Sequence, residues 1–173
     1  SALGRGKRPY QEDCVIADFP LGAEFGLVVL SDGMGGHAAG DVASKIVTTE
    51  VFSELKLQSG EEHDFESRAA AILTGAAETA NACLRAYQMA DPSAAGMGAT
   101  LVAAVIVERR LYWISVGDSP LFLYRDGRLS QLNEDHSLAP QIELMVASGL
   151  MDAEVARTHP DRNCLTSVLA GQG

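Results

Sequence analysis

The spacing of apolar residues along this chain changes character twice. Near the N-terminus two short apolar runs, Val15–Phe19 and Phe25–Leu30, flank Pro20-Leu21-Gly22, which predicts two strands and a tight connection. After the glycines that follow, Val42, Ile46, Val47, Val51, Phe52 and Leu55 recur at helical spacing. A second, longer helix is expected from about Asp64 to Met89, with Phe65, Ala69, Ile72, Ala76, Ala80, Cys83, Leu84 and Tyr87 on one side. Its many alanines suit close packing on another layer, and Asp91-Pro92-Ser93 ends it. From Thr100 the period is that of strands: Leu101–Val107, Leu111–Val116 and Leu121–Tyr124 are rich in β-branched and aromatic residues. Their connections, Glu108-Arg109-Arg110 and Ser119-Pro120, are too short for parallel crossovers. Asp126-Gly127 is a hairpin signal leading into Leu129-Ser130-Gln131. An antiparallel meander is therefore expected, followed by a short helix about Gln141–Ser148 closed by Gly149. The order of elements predicts an α+β layered domain, not an alternating βαβ one.

Composition narrows the function. At 173 residues the chain has the length of about one domain. With 13 Lys+Arg against 23 Asp+Glu, the formal net charge is −10, so the surface repels phosphate backbones and no nucleic-acid partner is expected. No apolar run approaches the roughly 18–20 residues that span a bilayer. The start, Ser1 to Arg8, has no hydrophobic stretch behind it, so neither a membrane segment nor a secretory signal is read. Cys14, Cys83 and Cys164 are far apart and odd in number. They fit neither a disulfide framework nor a zinc cage, and buried thiols in a reducing cytoplasm are expected.

Four acids stand out by position. Glu12-Asp13 opens the first strand, Asp32 stands just beyond the second, before Gly33-Met34-Gly35-Gly36, and Asp118 follows a strand in Val-Gly-Asp-Ser. Taken singly, each is more often a solvated cap. Together, beside glycines that bring backbone carbonyls close, they suggest oxygen ligands for Mg²⁺ or Mn²⁺ rather than zinc. Gly33-Met34-Gly35-Gly36-His37-Ala38 also matches a dinucleotide fingerprint after a strand. Asp32 would oppose the pyrophosphate there, and the second parallel strand is missing. Gly117-Asp118-Ser119 is a candidate nucleophile segment, but no histidine carries the accompanying Asp-x-x-His spacing, so Ser119 is read as a turn residue. The histidines are scattered, and only His37 lies within a candidate site.

Six ordered segments then resemble one family. Arg8-Pro9-Tyr10-Gln11-Glu12-Asp13 is similar to an Arg-x-x-Asn-Glu-Asp opening, and Asp32-Gly33-Met34-Gly35-Gly36-His37 to an Asp-Gly-Met-Gly-Gly-His box. Gly96-Met97-Gly98-Ala99-Thr100 resembles a Gly-x-Gly-x-Thr strand start, and Gly117-Asp118-Ser119 a Gly-Asp-Ser-Arg box. Asp135-His136-Ser137 and Arg162-Asn163-Cys164-Leu165-Thr166 resemble two later markers. The family is that of the metal-dependent, type 2C serine/threonine protein phosphatases, in their bacterial form.

The resemblance implies a sandwich of two antiparallel β-sheets flanked by α-helices. It implies hydrolysis of phosphoserine and phosphothreonine with two Mn²⁺ or Mg²⁺ ions, and a third in bacterial members. Asp32 would bridge the metals, Glu12 and the Gly33 carbonyl would hold one of them, and Asp13 would orient water. Arg8 would receive the phosphate, whose oxygens a guanidinium fork matches. Asp118 would serve the third site. Phosphoproteins, with a partner Ser/Thr kinase or its substrates, are the implied partners, and the cytoplasm is the implied location. Residues of about 135–162 would form a flap over the site.

Three departures accompany the resemblance. Met34 stands where eukaryotic members carry a histidine, and Pro120 replaces the usual Arg of Gly-Asp-Ser-Arg. The sequence also stops before two late aspartate segments of the family. Residues 1–173 are therefore expected to be the N-terminal portion of a single catalytic domain. The alternative is a non-catalytic pseudophosphatase module that binds phosphoproteins.

Overall fold

A computed structural model of the chain describes residues 11–35, 38–58 and 62–172. Strands β1 (Asp13–Asp18) and β2 (Phe25–Met34) form an antiparallel pair. On its other edge β2 pairs with β4 (Leu101–Val107), and β4 pairs with β5 (Arg110–Val116). The two-residue strand β3 (Gly98–Ala99) continues the line of β4 and pairs with Gly33 and Met34. The sequence pattern ended the second strand at Leu30 and put Asp32 beyond it. In the structure β2 runs through Asp32 to Met34, because β3 supplies partners that the local pattern does not reveal.

Helices α1 (Ala38–Gln58) and α2 (Glu62–Ala90) cover one face of this sheet. Side chains alternate along strands, so Leu27 and Val29 of β2 and Leu101, Ala103 and Val105 of β4 are buried under Val47, Val51, Leu55, Ala76 and Leu84. Alanines on α2 bring the helix close, as their small size allows. Phe65 of α2 is the hinge of an aromatic trio, edge-on to Phe25 of β2 and Tyr112 of β5 with centroids 6.1 and 6.0 Å apart. α2 also holds a later stretch of chain. Arg85 Nε donates to the Gly171 carbonyl, and Asn81 Nδ2 donates to that of Gln172. Gln88 Nε2 donates to the carbonyls of Met97 and Ala170. Leu169 is thereby held in a bridge against Ala99.

The expected meander breaks after β5. β6 (Phe122–Arg125) and β7 (Arg128–Gln131) form a separate two-stranded antiparallel sheet rather than extending the first. The chain leaves the first sheet at Gly117, whose φ of +101° is unfavourable to other residues, and Pro120 cannot donate to a ladder. The architecture is α+β with two antiparallel sheets and flanking helices, as the resemblance implied. Past the hairpin, α3 (Ala139–Ala147) starts two residues before the helix read from the pattern, with Pro140 in its first turn. The five-residue α4 (Ala153–Arg157), too short to show a period, is set by Asp152, which accepts from the N–H groups of Glu154 and Val155.

The cysteine expectation needs correction. All three thiols are free, but Cys14 and Cys83 are only half-buried and Cys164 is exposed. Among the described residues no helix is long and apolar enough to cross a membrane.

Candidate metal centre

The acids read from the sequence gather at one end of the β1–β2 pair. Asp13 and Asp32 are direct cross-strand partners, so their side chains leave the sheet on the same face a few ångströms apart. Two like charges in that position destabilise a sheet unless a cation or donor lies between them. Gln11 answers part of the charge, its Nε2 donating to Asp13 Oδ2 at 3.0 Å. Just beyond this pair the ladder continues, with the Gly33 N–H donating to the Glu12 carbonyl at 3.0 Å.

Two glycines let helix α1 come against this end. A Cβ on Gly33 would stand 1.9 Å from the Gly40 carbonyl oxygen, so only glycine fits. At the point where a Cβ of Gly40 would stand, Glu12 Oε1 is 2.9 Å away and the Gly33 carbonyl oxygen 3.0 Å away. The carboxylate and the carbonyl thus converge on one small space beside the first turn of α1, which a methyl group would fill. These are hard oxygen donors of the kind Mg²⁺ and Mn²⁺ take, and in that respect the residues fit such an ion. The set is nevertheless thin. Among the described residues no three His, Cys, Asp or Glu side chains gather closely enough to hold a metal by themselves, so a backbone carbonyl and donors from elsewhere are required.

Thr100 ties this end to the fourth acid. Its N–H donates to the Asp32 carbonyl at 2.8 Å, while its Oγ1 accepts from the Asp32 N–H at 2.9 Å. Ser31 Oγ donates to the Thr100 carbonyl at 2.6 Å, with both residues buried. Thr100 Oγ1 also lies 2.8 Å from Ser119 Oγ. A chain of hydroxyl contacts therefore runs from the Asp32 main chain to the Gly117-Asp118-Ser119 turn. Ser119 is a strut in that chain, in keeping with its reading as a turn residue. Asp118 sits at the tip of the turn and is exposed.

The Glu12 carboxylate and the Gly33 carbonyl are therefore brought together beside Gly40, and Asp13 and Asp32 face each other one residue along the same strand pair. The turn that carries Asp118 is linked to the Asp32 main chain through Thr100 and Ser119. Arg8, Gly36 and His37 lie outside the described residues. Met34 ends β2, half-buried. The pattern reading missed Thr100 and His136. Each was visible only as part of a family marker, because its partner lies 68 or 19 residues away in sequence. His136 corrects the view that only His37 among the histidines lies in a candidate site. Its Nδ1 accepts from the Gly117 N–H, next to Asp118.

The sheet order, the flanking helices and the acids at the strand ends define a metal-dependent phosphatase fold. The chain belongs to the protein phosphatase 2C family, whose profile matches residues 8–146. It is 34% identical over 145 residues to the serine/threonine protein phosphatase PstP of Mycobacterium tuberculosis, covering 84% of this chain but only 26% of that relative's length. Among solved structures it is similar to the serine/threonine phosphatase of S. agalactiae, with a TM-score of 0.76, 32% identity and coverage of 97% and 66% of the two chains. It is also similar to the catalytic domain of PstP solved in complex with two manganese ions, with a TM-score of 0.66, 28% identity and coverage of 93% and 67%.

Proposed function

We propose that these residues are the N-terminal portion of the catalytic domain of a protein serine/threonine phosphatase that works with Mn²⁺ or Mg²⁺. The observation that carries the reading is the convergence of Glu12 Oε1 and the Gly33 carbonyl beside Gly40, with Asp13 and Asp32 facing each other across the adjacent strands. The two manganese ions bound by PstP support the same choice of ion. In this chain Glu12, the Gly33 carbonyl and Asp32 would hold the ions, and Asp118 a further one.

Bound divalent ions supply a nucleophilic water near neutral pH and offset the charge of the transferring phosphoryl group. The protein's own residues do the rest. Asp13, restrained by Gln11, accepts a hydrogen bond from the attacking water and orients it. Arg8 offers the phosphoryl oxygens a planar pair of donors. Cations held there would reverse the local sign of an acidic chain and allow it to receive an anionic phosphoprotein. The substrates are phosphoserine and phosphothreonine proteins, among them a partner kinase or its targets, in the cytoplasm.

The test is hydrolysis of p-nitrophenyl phosphate and a phosphothreonine peptide by the full-length protein, with and without Mn²⁺. Asp32→Ala and Glu12→Ala should each cost more than the roughly 10–100-fold typical of losing an outer-shell partner. Absence of turnover by the wild type with Mn²⁺ sinks the phosphatase reading and leaves the non-catalytic module that binds phosphoproteins.

A further inference from the structure

The Gly117-Asp118-Ser119 turn is held from two sides. On the sheet side a Cβ at Gly117 would stand 2.6 Å from Thr100 Cγ2, so the turn has no room to sink toward β4. On the other side Gly117 gives both of its main-chain polar groups to one residue. Its N–H donates to His136 Nδ1 at 3.2 Å, and its carbonyl accepts from the His136 N–H at 3.1 Å. The accepting Nδ1 places the imidazole proton on Nε2. The end of the turn is closed by Asn133, whose Nδ2 donates to the Ser119 carbonyl at 3.0 Å and whose Oδ1 accepts from the Leu121 N–H at 2.7 Å.

His136 is also the root of the helical insertion that carries α3 and α4. Its carbonyl accepts from the Thr166 N–H at 2.8 Å, Ser137 bridges to Leu165, and the Leu138 N–H donates to the Cys164 carbonyl at 3.0 Å. Residues 138–164 therefore leave and return at His136, and the ring of that residue reaches the amide next to Asp118.

We infer that His136 is a positioning residue for Asp118, joining the base of the α3–α4 insertion to the carboxylate that would serve the outer cation site. The inference rests on the metal-dependent reading of Asp118. Its physical basis is that an exposed carboxylate on a three-residue turn has no geometry of its own. The turn takes its shape from Thr100 and His136, and an outer-shell partner of this kind fixes the angle at which a ligand oxygen meets a cation. Asparagine can place an amide oxygen close to the position of Nδ1 and accept the same N–H, whereas alanine cannot.

The experiment compares the full-length wild type with His136→Ala and His136→Asn. Two readouts do not depend on turnover: Mn²⁺ titration followed by the electron paramagnetic resonance of free Mn²⁺, and the ¹⁵N–¹H shift of the Gly117 amide. The expected result is that His136→Ala weakens the weakest Mn²⁺ site about 10–100-fold and moves the Gly117 amide, with the tighter sites unchanged. His136→Asn should restore both. The inference is overturned if His136→Ala binds Mn²⁺ as the wild type does, if it weakens all sites alike, or if His136→Asn behaves as His136→Ala. Should His136→Ala not fold, His136→Asn decides alone: wild-type Mn²⁺ binding with a retained Gly117 shift supports the inference, and loss of either overturns it. If the wild type binds Mn²⁺ but hydrolyses no phosphomonoester, the phosphatase reading fails while these two measurements still decide the role of His136.

Discussion

Gly33 is the residue on which the centre turns, for a reason of space rather than charge. A methyl group there would meet the Gly40 carbonyl oxygen at 1.9 Å and the Glu12 carbonyl oxygen at 2.9 Å. Both obstructions are main chain, one in helix α1 and one leading into β1, so neither swings aside. Gly33→Ala should therefore destabilise the fold by about 1–3 kcal/mol through overpacking, read as a lower urea midpoint at unchanged slope. Gly40→Ala has a softer obstacle, because one of the atoms it meets is the end of the Glu12 side chain. It should cost less stability and still displace the Glu12 carboxylate. A Gly33→Ala variant with wild-type stability would show that α1 does not approach β2 this closely.

At the level of elements, α1 and α2 press a thiol against a carboxylate. Burial pushes the Cys83 thiol on α2 above its ordinary value, and the charge of Glu50 on α1, with a hydrogen bond to it, pushes it further. A thiol raised in the folded state contributes stability that is fully present below the ordinary thiol value of about 8.5. That contribution is lost as the pH rises through the higher folded value. Reactivity follows the thiolate fraction. In native protein at pH 8, iodoacetamide should label exposed Cys164 first and Cys83 last, and Glu50→Gln should speed labelling of Cys83. Peptide mass mapping against time checks the order. Equal rates for Cys83 and Cys164 would count against the α1–α2 packing. The same pair of helices covers only one face of the first sheet.

For the molecule as a whole, that one-sided packing decides what solvent sees. Leu30 is 38% exposed, and Ile106 and Trp113 are each 39% exposed, all on the sheet face turned away from the helices. β6 and β7 leave Phe122, Tyr124 and Leu129 exposed as well. An apolar face of this kind marks a surface that packs on something else, and the chain spans only 26% of PstP. Trp113 is the sole tryptophan and reports directly on this face. In the 173-residue chain its emission should be readily quenched by acrylamide. A blue-shifted emission resistant to acrylamide would mean that the face is covered, and sedimentation would tell whether a second copy covers it.

Periodicity placed α1 and α2, because each presents a repeating apolar side to the sheet, and the Asp126-Gly127 turn signal placed the β6–β7 hairpin. The helix α4, too short to show a period, was not legible. The acids Glu12, Asp13, Asp32 and Asp118 stood out in the sequence only as a set beside glycines, since each taken singly is more often a solvated cap. Whether those acids meet is a matter of pairing across 19 residues between Asp13 and Asp32 and 68 between Asp32 and Thr100, and local pattern carries no such distances. Only the tertiary structure decided that β2 continues to Met34, that the hairpin leaves the first sheet, and that His136 reaches Gly117. For β2 and His136 the deciding hydrogen-bond partner is distant in sequence. For the hairpin it is the positive φ of Gly117 and the missing N–H of Pro120 that end the ladder.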